Sequence, residues 1–372
     1  MNTLEQSAHG DQVRAVRQPS LASGRAQRLS TVDVVIPCYN YSRFLPACVG
    51  SVLSQSGVEV RVLVIDDAST DQTPEVGQQL AASDRRVEFR RHQANKGHIA
   101  TYNEGLLEWS IADYVVLISA DDMLAPGSLS RAAQIMEADG NIGMVYGPVI
   151  QFENEIELPT TTARKFSHAR FSGTEWLDVR CKSGHNVITS PEVVVRGSVQ
   201  RAVGGYRPEL PHTGDLEMWL RIAAVSDLAY VRRIPQAFYR VHRSNMTKSR
   251  NNLVDLRQRM AAFDAFFRDH RDLSNATVLQ ESASRALARE ALWDVCRAYD
   301  RDQVTECRAD ELVEFALTID SGATSLAEYR ALERRKRLGP AVCNRTQVFA
   351  ASALVQKVRR SIKKRSWKRR GI

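Results

Sequence analysis

From Thr31 onward the chain alternates short, mostly apolar β-branched runs with segments of helical periodicity, and this alternation narrows the possible folds more than any other feature. The runs are Val32 to Ile36, Val58 to Ile65, Tyr114 to Ile118 and Ile142 to Tyr146. A strand with one wet face alternates apolar and polar residues, so strands that are apolar at nearly every position are expected to be covered on both faces. Between them Phe44, Cys48 and Val52 recur at four-residue spacing with Leu45, Val49 and Leu53 alongside, and Ile99 to Trp109 and Ser128 to Ala138 also read as helices. A β-α-β-α-β order predicts an α/β fold with a Rossmann-like, doubly wound, mostly parallel sheet. Ligands of such a sheet bind at the carboxyl ends of its strands.

The alternation stops on both sides of this block. Residues 1 to 30 are polar and aperiodic; four arginines between positions 14 and 28 hint at a transit peptide, but the composition favours a disordered leader. Residues 149 to 240 are less regular, with a helix near Gly173 to Cys181, an extended stretch Glu192 to Arg196 and a helix Asp215 to Val225. Beyond Arg250 long charged helices are expected over Leu253 to Phe267, Ser282 to Tyr299 and Ala309 to Leu317. The chain therefore divides into a leader (1–30), an α/β domain (31–248), a helical extension (249–345) and a basic amphipathic tail (346–372).

Charge and cysteine use exclude several classes. The formal charge of +8 is a property of the tail: residues 356 to 372 hold nine Lys or Arg and no acid, and removing these nine leaves residues 1 to 355 near −1. No array of base-stacking aromatics accompanies the tail, so nucleic acid is not an expected partner. The six cysteines form no CxxC pair, which argues against a zinc site or a disulfide framework and for a reducing compartment. No run approaches the roughly 18 apolar residues of a membrane span, and no signal-peptide apolar region opens the chain. A cytoplasmic location is expected.

Two strands end in paired aspartates. Asp66 and Asp67 close the second run, where a carboxylate can accept hydrogen bonds from a base or ribose, while Ser69 to Thr73 read as a turn and helix cap. Two like charges at a strand end repel at some cost, which points to function. Asp121 and Asp122 follow the third run. They offer few, hard oxygen ligands and leave coordination positions for phosphate oxygens, as a divalent cation bridging a diphosphate requires, although a polar turn before Pro126 has the same text. His212 to Ile222 opens a helix with Leu216, Trp219 and Leu220 inward and Asp215 at the expected N-cap.

Taken in order, VDVVIPCYNYSRFLPACVGSVLSQS, VLVIDDASTDQT, NKGHIATYNEGL, YVVLISADDMLAPGSL, VVVRGSVQRAVGGYRPEL, GDLEMWLRIA and FYRVHRSNMT resemble the family 2 glycosyltransferases of GT-A fold over residues 31 to 248. The resemblance implies that Pro37, Tyr39 and Lys96 border the nucleotide and that Asp67, or else Asp66, meets the base. It implies that Asp121 contacts the ribose, that Asp122 binds the metal, and that His242 approaches metal or diphosphate. Arg240 and Arg243 are alternative phosphate partners. Asp215 aligns with the general base, with Glu217 as fallback. Ser119 replaces an aspartate in the family's DXD-type motif, and Gly214 stands where the family often has Glu, so metal binding rests on fewer carboxylates and Asp215 acts alone.

The implied activity is inverting, Mn²⁺- or Mg²⁺-dependent transfer of a sugar from a nucleotide diphosphate donor, UDP- before dTDP-, to a glycan or lipid-linked acceptor in cell-surface polysaccharide or glycolipid synthesis. A non-catalytic sugar-nucleotide-binding scaffold is the alternative. A nucleotidyltransferase would need a Gly-rich loop where IPCYNY stands. For the tail, Val348, Phe349, Ala353, Leu354, Val358 and Trp367 suggest an amphipathic helix on the anionic inner face of the cell membrane, against a solvated basic end as the other reading.

Overall fold

A computed structural model describes residues 28–153, 158, 165–242 and 252–372. Residues 1–27 of the expected leader lie outside it. Strand β1 (Thr31–Cys38) runs through the middle of the parallel sheet, flanked by β2 (Glu59–Asp66) and β4 (Tyr114–Leu117) in parallel register, with β3 (Val87–Arg91) parallel beyond β2. On the other side β9 (Val194–Arg196) lies antiparallel between β4 and β6 (Ile142–Tyr146), followed by β10 (Asp227–Arg232) and the edge strand β8 (Ser167–Phe171). A small sheet joins β5 (Met123–Leu124), β11 (Ala237–Arg240) and β7 (Val149–Phe152).

The four runs read as strands are strands, and the one buried charge within them is satisfied locally. Asp33, fully buried in β1, takes Arg61 Nε and Nη2 at 2.8 and 2.7 Å and the backbone N–H groups of Ile111 and Ala112 at 2.8 and 3.0 Å. A buried carboxylate with four donors is tolerable; one with none is not. Helix α1 (Leu45–Leu53) seats Cys48, Val49 and Val52 on the sheet, and α2 (Thr73–Ser83) and α4 (Ser128–Ala138) cover the same face.

One expected helix is divided. Over Ile99 to Trp109 the chain forms α3 (His98–Asn103) and then a π-helical turn, Glu104–Trp109. At Gly105 a Cβ would lie 2.3 Å from Val35, so the missing side chain lets this turn press against β1. The wider coil accommodates that contact without losing the buried Leu106 and Trp109.

Helices α5 (Gly173–Ser183), α6 (Gly197–Val203) and α7 (Gly214–Val225) connect the later strands. Then come α8 (Asn252–Asp269), α9 (Ala276–Arg301), α10 (Ala309–Ile319), α11 (Ala327–Leu338), α12 (Pro340–Thr346) and α13 (Ala350–Arg370). A single apolar core runs from Val35 and Leu63 of the sheet through Trp176, Leu216 and Phe263 to Leu292 and Leu332. All six cysteines are free thiols, and all but Cys307 are buried.

Helix α13 does not end free. Gly371 is buried, its carbonyl accepts the Tyr146 hydroxyl at 2.7 Å, and with φ +93° it leaves no room for a Cβ against Tyr230. Leu354, Val355, Val358 and Ile362 are exposed along the helix. Of the other apolar tail residues, Phe349 lies under the Arg335 guanidinium at 4.0 Å, and Ala353 and Trp367 are half-buried. Among the described residues no helix is long and apolar enough to cross a membrane.

Candidate active site

A cavity of about 390 Å³ opens at the carboxyl ends of β1 and β4, where a doubly wound sheet is expected to bind ligands. Pro37, Asp121, Asp122 and Asp215, four residues singled out in the sequence, line it together. Ser119, Tyr41, Tyr102, Tyr206, Ser190 and the α8 residues Asp255 and Arg259 complete much of the wall.

The Asp121–Asp122 turn is braced from β11. Asp122 N–H closes the turn on the Ser119 carbonyl at 3.0 Å, the Arg240 backbone N–H donates to Asp122 Oδ1 at 2.8 Å, and Arg240 Nε donates to the Asp121 carbonyl at 2.8 Å. The Arg240 guanidinium sits 4.4 Å from the Phe44 ring centre and 4.5 Å from that of Phe152. It is buried and does not line the cavity, so its place is under the carboxylates rather than facing a phosphate. Arg243 lies outside the described residues.

His242 Nε2 is 2.9 Å from Asp121 Oδ2, with its ring packed near Tyr41 and Phe44. Asp121 Oδ1 is buried and has no hydrogen-bond partner, and burial together with Asp121 pushes the Asp122 carboxyl well above the usual carboxylate range. Two adjacent buried carboxyls with an unsatisfied oxygen form a site whose charge a cation would relieve. Among the described residues no cluster of three or more His, Cys, Asp or Glu is arranged to hold a metal. The donor set therefore fits a hard divalent ion that takes one or two carboxylates and completes its shell from phosphate and water, rather than an ion held by protein alone.

The other expected nucleotide residues lie apart from the cavity wall. Asp67 Oδ1 accepts the Lys96 backbone N–H at 2.8 Å and lies 2.7 Å from His92 Nδ1, while Oδ2 accepts the Gly97 N–H at 2.9 Å. Against the upward push of burial, the His92, Lys96 and Gly97 contacts hold this carboxyl below its usual value. Asp66 Oδ1 accepts the Ser69 N–H at 3.0 Å, with Arg91 Nε 3.2 Å from Oδ2. The Lys96 ammonium meets Glu104 at 3.3 Å, and Tyr39 is exposed. Asp66 and Asp67 are buried at the end of β2 while Tyr39 is exposed just beyond β1, and Pro37 alone of the expected nucleotide-binding residues on those two strands reaches the cavity.

Asp215 enters from α7. It lies in the first turn and is not the N-cap: the helix begins at Gly214 after Thr213, whose hydroxyl instead donates to the Gln258 carbonyl at 2.9 Å. Ser190 Oγ donates to Asp215 Oδ2 at 2.6 Å, and the Tyr206 hydroxyl is also hydrogen-bonded to this carboxylate. Glu217 faces the other way. Fully buried, it takes Arg207 Nε at 2.7 Å and Arg221 Nε and Nη2 at 2.8 Å, so it is occupied as a structural ion pair and is remote from the cavity.

Residues 33–195 match the model of the glycosyl transferase family 2. Over that stretch, less than half of its length, the chain is similar to that family. The chain is 23% identical to an Escherichia coli chondroitin synthase over 219 residues, 59% of this chain and 30% of that protein. It is 30% identical to the glycosyltransferase GlyG of Streptococcus pneumoniae over 118 residues, 31% of this chain and 39% of that one. An uncharacterised Mycobacterium tuberculosis protein is 26% identical, and there too the chain spans 64% of the relative's length. Among solved structures, S. aureus TarS 1–349 in complex with UDP-GlcNAc superposes with a TM-score of 0.61 over 87% of this chain and 92% of that one, at 12% identity. That likeness establishes the GT-A-type α/β fold with its C-terminal helices. The family match ends at residue 195, before Asp215 and His242.

Proposed function

We propose that this chain moves one sugar from a nucleotide diphosphate donor, a UDP-sugar before a dTDP-sugar, to an acceptor hydroxyl, with inversion at the anomeric carbon. The observation that carries the proposal is the meeting of Asp121, Asp122 and Asp215 in one cavity although they come from distant parts of the sequence. The relative named chondroitin synthase and the UDP-GlcNAc complex of TarS support a nucleotide-sugar donor and a glycan or lipid-linked acceptor in cell-surface polymer synthesis.

In this reading Asp215 takes the proton of the acceptor hydroxyl as its oxygen bonds to the anomeric carbon. The carbon–oxygen bond to the nucleotide diphosphate breaks on the opposite face. Asp122, with His242, would hold a Mn²⁺ or Mg²⁺ ion and Asp121 would turn toward the ribose. Such an ion neutralises charge on the departing diphosphate. Pro37, Tyr39, Asp66, Asp67 and Lys96 would border the nucleoside. Tyr102 and Tyr206, edge to face at 5.5 Å, give the cavity an aromatic wall of the kind that apolar sugar faces contact.

The test is transfer from a panel of UDP- and dTDP-sugars by the unsubstituted chain and by Asp215→Asn. The variant is expected to lose about 10²- to 10⁴-fold in turnover, with affinity for UDP kept within a few-fold. Undiminished transfer by Asp215→Asn would remove the assigned role.

We also assign the exposed apolar stripe of α13, set in a strongly basic segment, to the surface of an anionic membrane, which places the enzyme peripherally at the inner face where lipid-linked acceptors reside.

A further inference from the structure

The turn that touches Asp215 carries two costly features side by side. Ser190 has φ +87°, in the left-handed region that glycine adopts freely and serine does not. Two residues on, Glu192 is 3% exposed and has one oxygen, Oε2, buried with no hydrogen-bond partner. Each works against stability. Burial, with a smaller push from the Asp215 charge, raises the Glu192 carboxyl to about 7 against the pull of its hydrogen bonds.

Their geometry shows what the cost achieves. Glu192 Oε1 accepts the Thr189 backbone N–H at 2.8 Å and the Thr189 hydroxyl at 3.2 Å, and Val193 N–H returns to the Ser190 carbonyl at 3.0 Å. The turn is thereby fixed from beneath. A glycine at position 190 would make the same turn without strain, but it has no hydroxyl, and the Ser190 hydroxyl is spent on Asp215 Oδ2 at 2.6 Å. The Tyr206 hydroxyl braces the same carboxylate. Holding Oδ2 fixes the plane of the carboxylate, and hence the direction in which it faces the cavity.

We infer that Ser190 is a positioning residue for transfer, held in its strained conformation by the Glu192-anchored turn so that it orients Asp215 toward the acceptor hydroxyl. This rests on Asp215 being the base. A base displaced by about 1 Å can lose on the order of 10²-fold in rate.

The experiment measures release of the nucleoside diphosphate from UDP-GlcNAc, UDP-glucose, UDP-galactose and dTDP-rhamnose by the full chain and by Ser190→Ala, Ser190→Gly, Ser190→Cys and Asp215→Asn, with UDP affinity by calorimetry and melting temperature in parallel. Ser190→Ala and Ser190→Gly are expected to lose roughly 10- to 100-fold in kcat, with UDP affinity within twofold, and Ser190→Cys, a weaker donor, to fall between them and the unsubstituted chain. Ser190→Gly is expected to melt no lower than the unsubstituted chain because it relieves the strained φ. Full kcat in Ser190→Ala beside an inactive Asp215→Asn overturns the inference and leaves Asp215 as base. An active Asp215→Asn, or no turnover of any donor by the unsubstituted chain, overturns the reading on which it rests. A kcat loss that merely follows a fall in melting temperature would make Ser190 structural and overturn the inference as well.

Discussion

Asp122 is nearly fully buried next to another carboxylate, its acidity suppressed by burial and by Asp121, and that is an unfavourable resting place for a charge. A divalent cation held there by Asp122, as proposed, would relieve that penalty. UDP or dTDP is accordingly expected to raise the melting temperature in Mn²⁺ or Mg²⁺ and to do so little in EDTA; at a hundred times Kd, binding is worth about 2.7 kcal/mol. Equal stabilisation in EDTA would dissociate the nucleotide from any metal at Asp122. Asp121, Asp122 and Asp215, which line one cavity, could be picked out because they stand at a strand end or open a helix, while the roles expected of them came from the family resemblance. Ser190, Glu192 and Tyr206 could not, because nothing in their own neighbourhood marks them: Ser190 meets Asp215 across 25 residues of chain. Residue type also misled. Glu217 and Arg240 carry the charges of site residues, yet Arg207 and Arg221 claim the first, and the Phe44 and Phe152 rings with the Asp121 carbonyl claim the second.

Among elements, the buried strands could be read from their text, whereas β3 could not: Val-Glu-Phe-Arg-Arg carries three charges. Such charges are what protects an edge strand from pairing with other chains, and they erase its apolar signature. The division of the helix after Asn103 depends on the fit of Gly105 to Val35, a tertiary contact invisible to periodicity. The last helix has its own expected behaviour. With Leu354, Val355, Val358 and Ile362 exposed and nine basic residues from 356 onward, each worth about 1 kcal/mol near an anionic surface before salt screening, it should carry the protein down with phosphatidylglycerol-containing vesicles at low salt. A chain ending at Gln347 should stay in the supernatant, and Leu354→Glu combined with Ile362→Glu should weaken binding while leaving all basic residues in place. Both the full and the shortened chain remaining soluble would refute the membrane assignment.

At the scale of the whole molecule, the helical extension is continuous with the α/β layers. Arg259 of α8 donates to the Gly184 carbonyl beyond α5 at 2.8 Å and lines the same cavity as Asp215, and the core holding Val35 also holds Leu332. Heat or denaturant should therefore give one cooperative transition followed alike by tryptophan fluorescence and far-ultraviolet circular dichroism; two separated midpoints would show that the extension unfolds by itself. The cysteines add a use of their own. Five of the six are buried, and burial pushes Cys38, Cys181 and Cys296 to about 12, so in the native state they are neither reachable nor nucleophilic. Thiol reactivity thus becomes a clock: a disulfide reagent should label Cys307 early and the others only as fast as the molecule opens, so that the slow labelling rate times the breathing of a protein that carries no added probe.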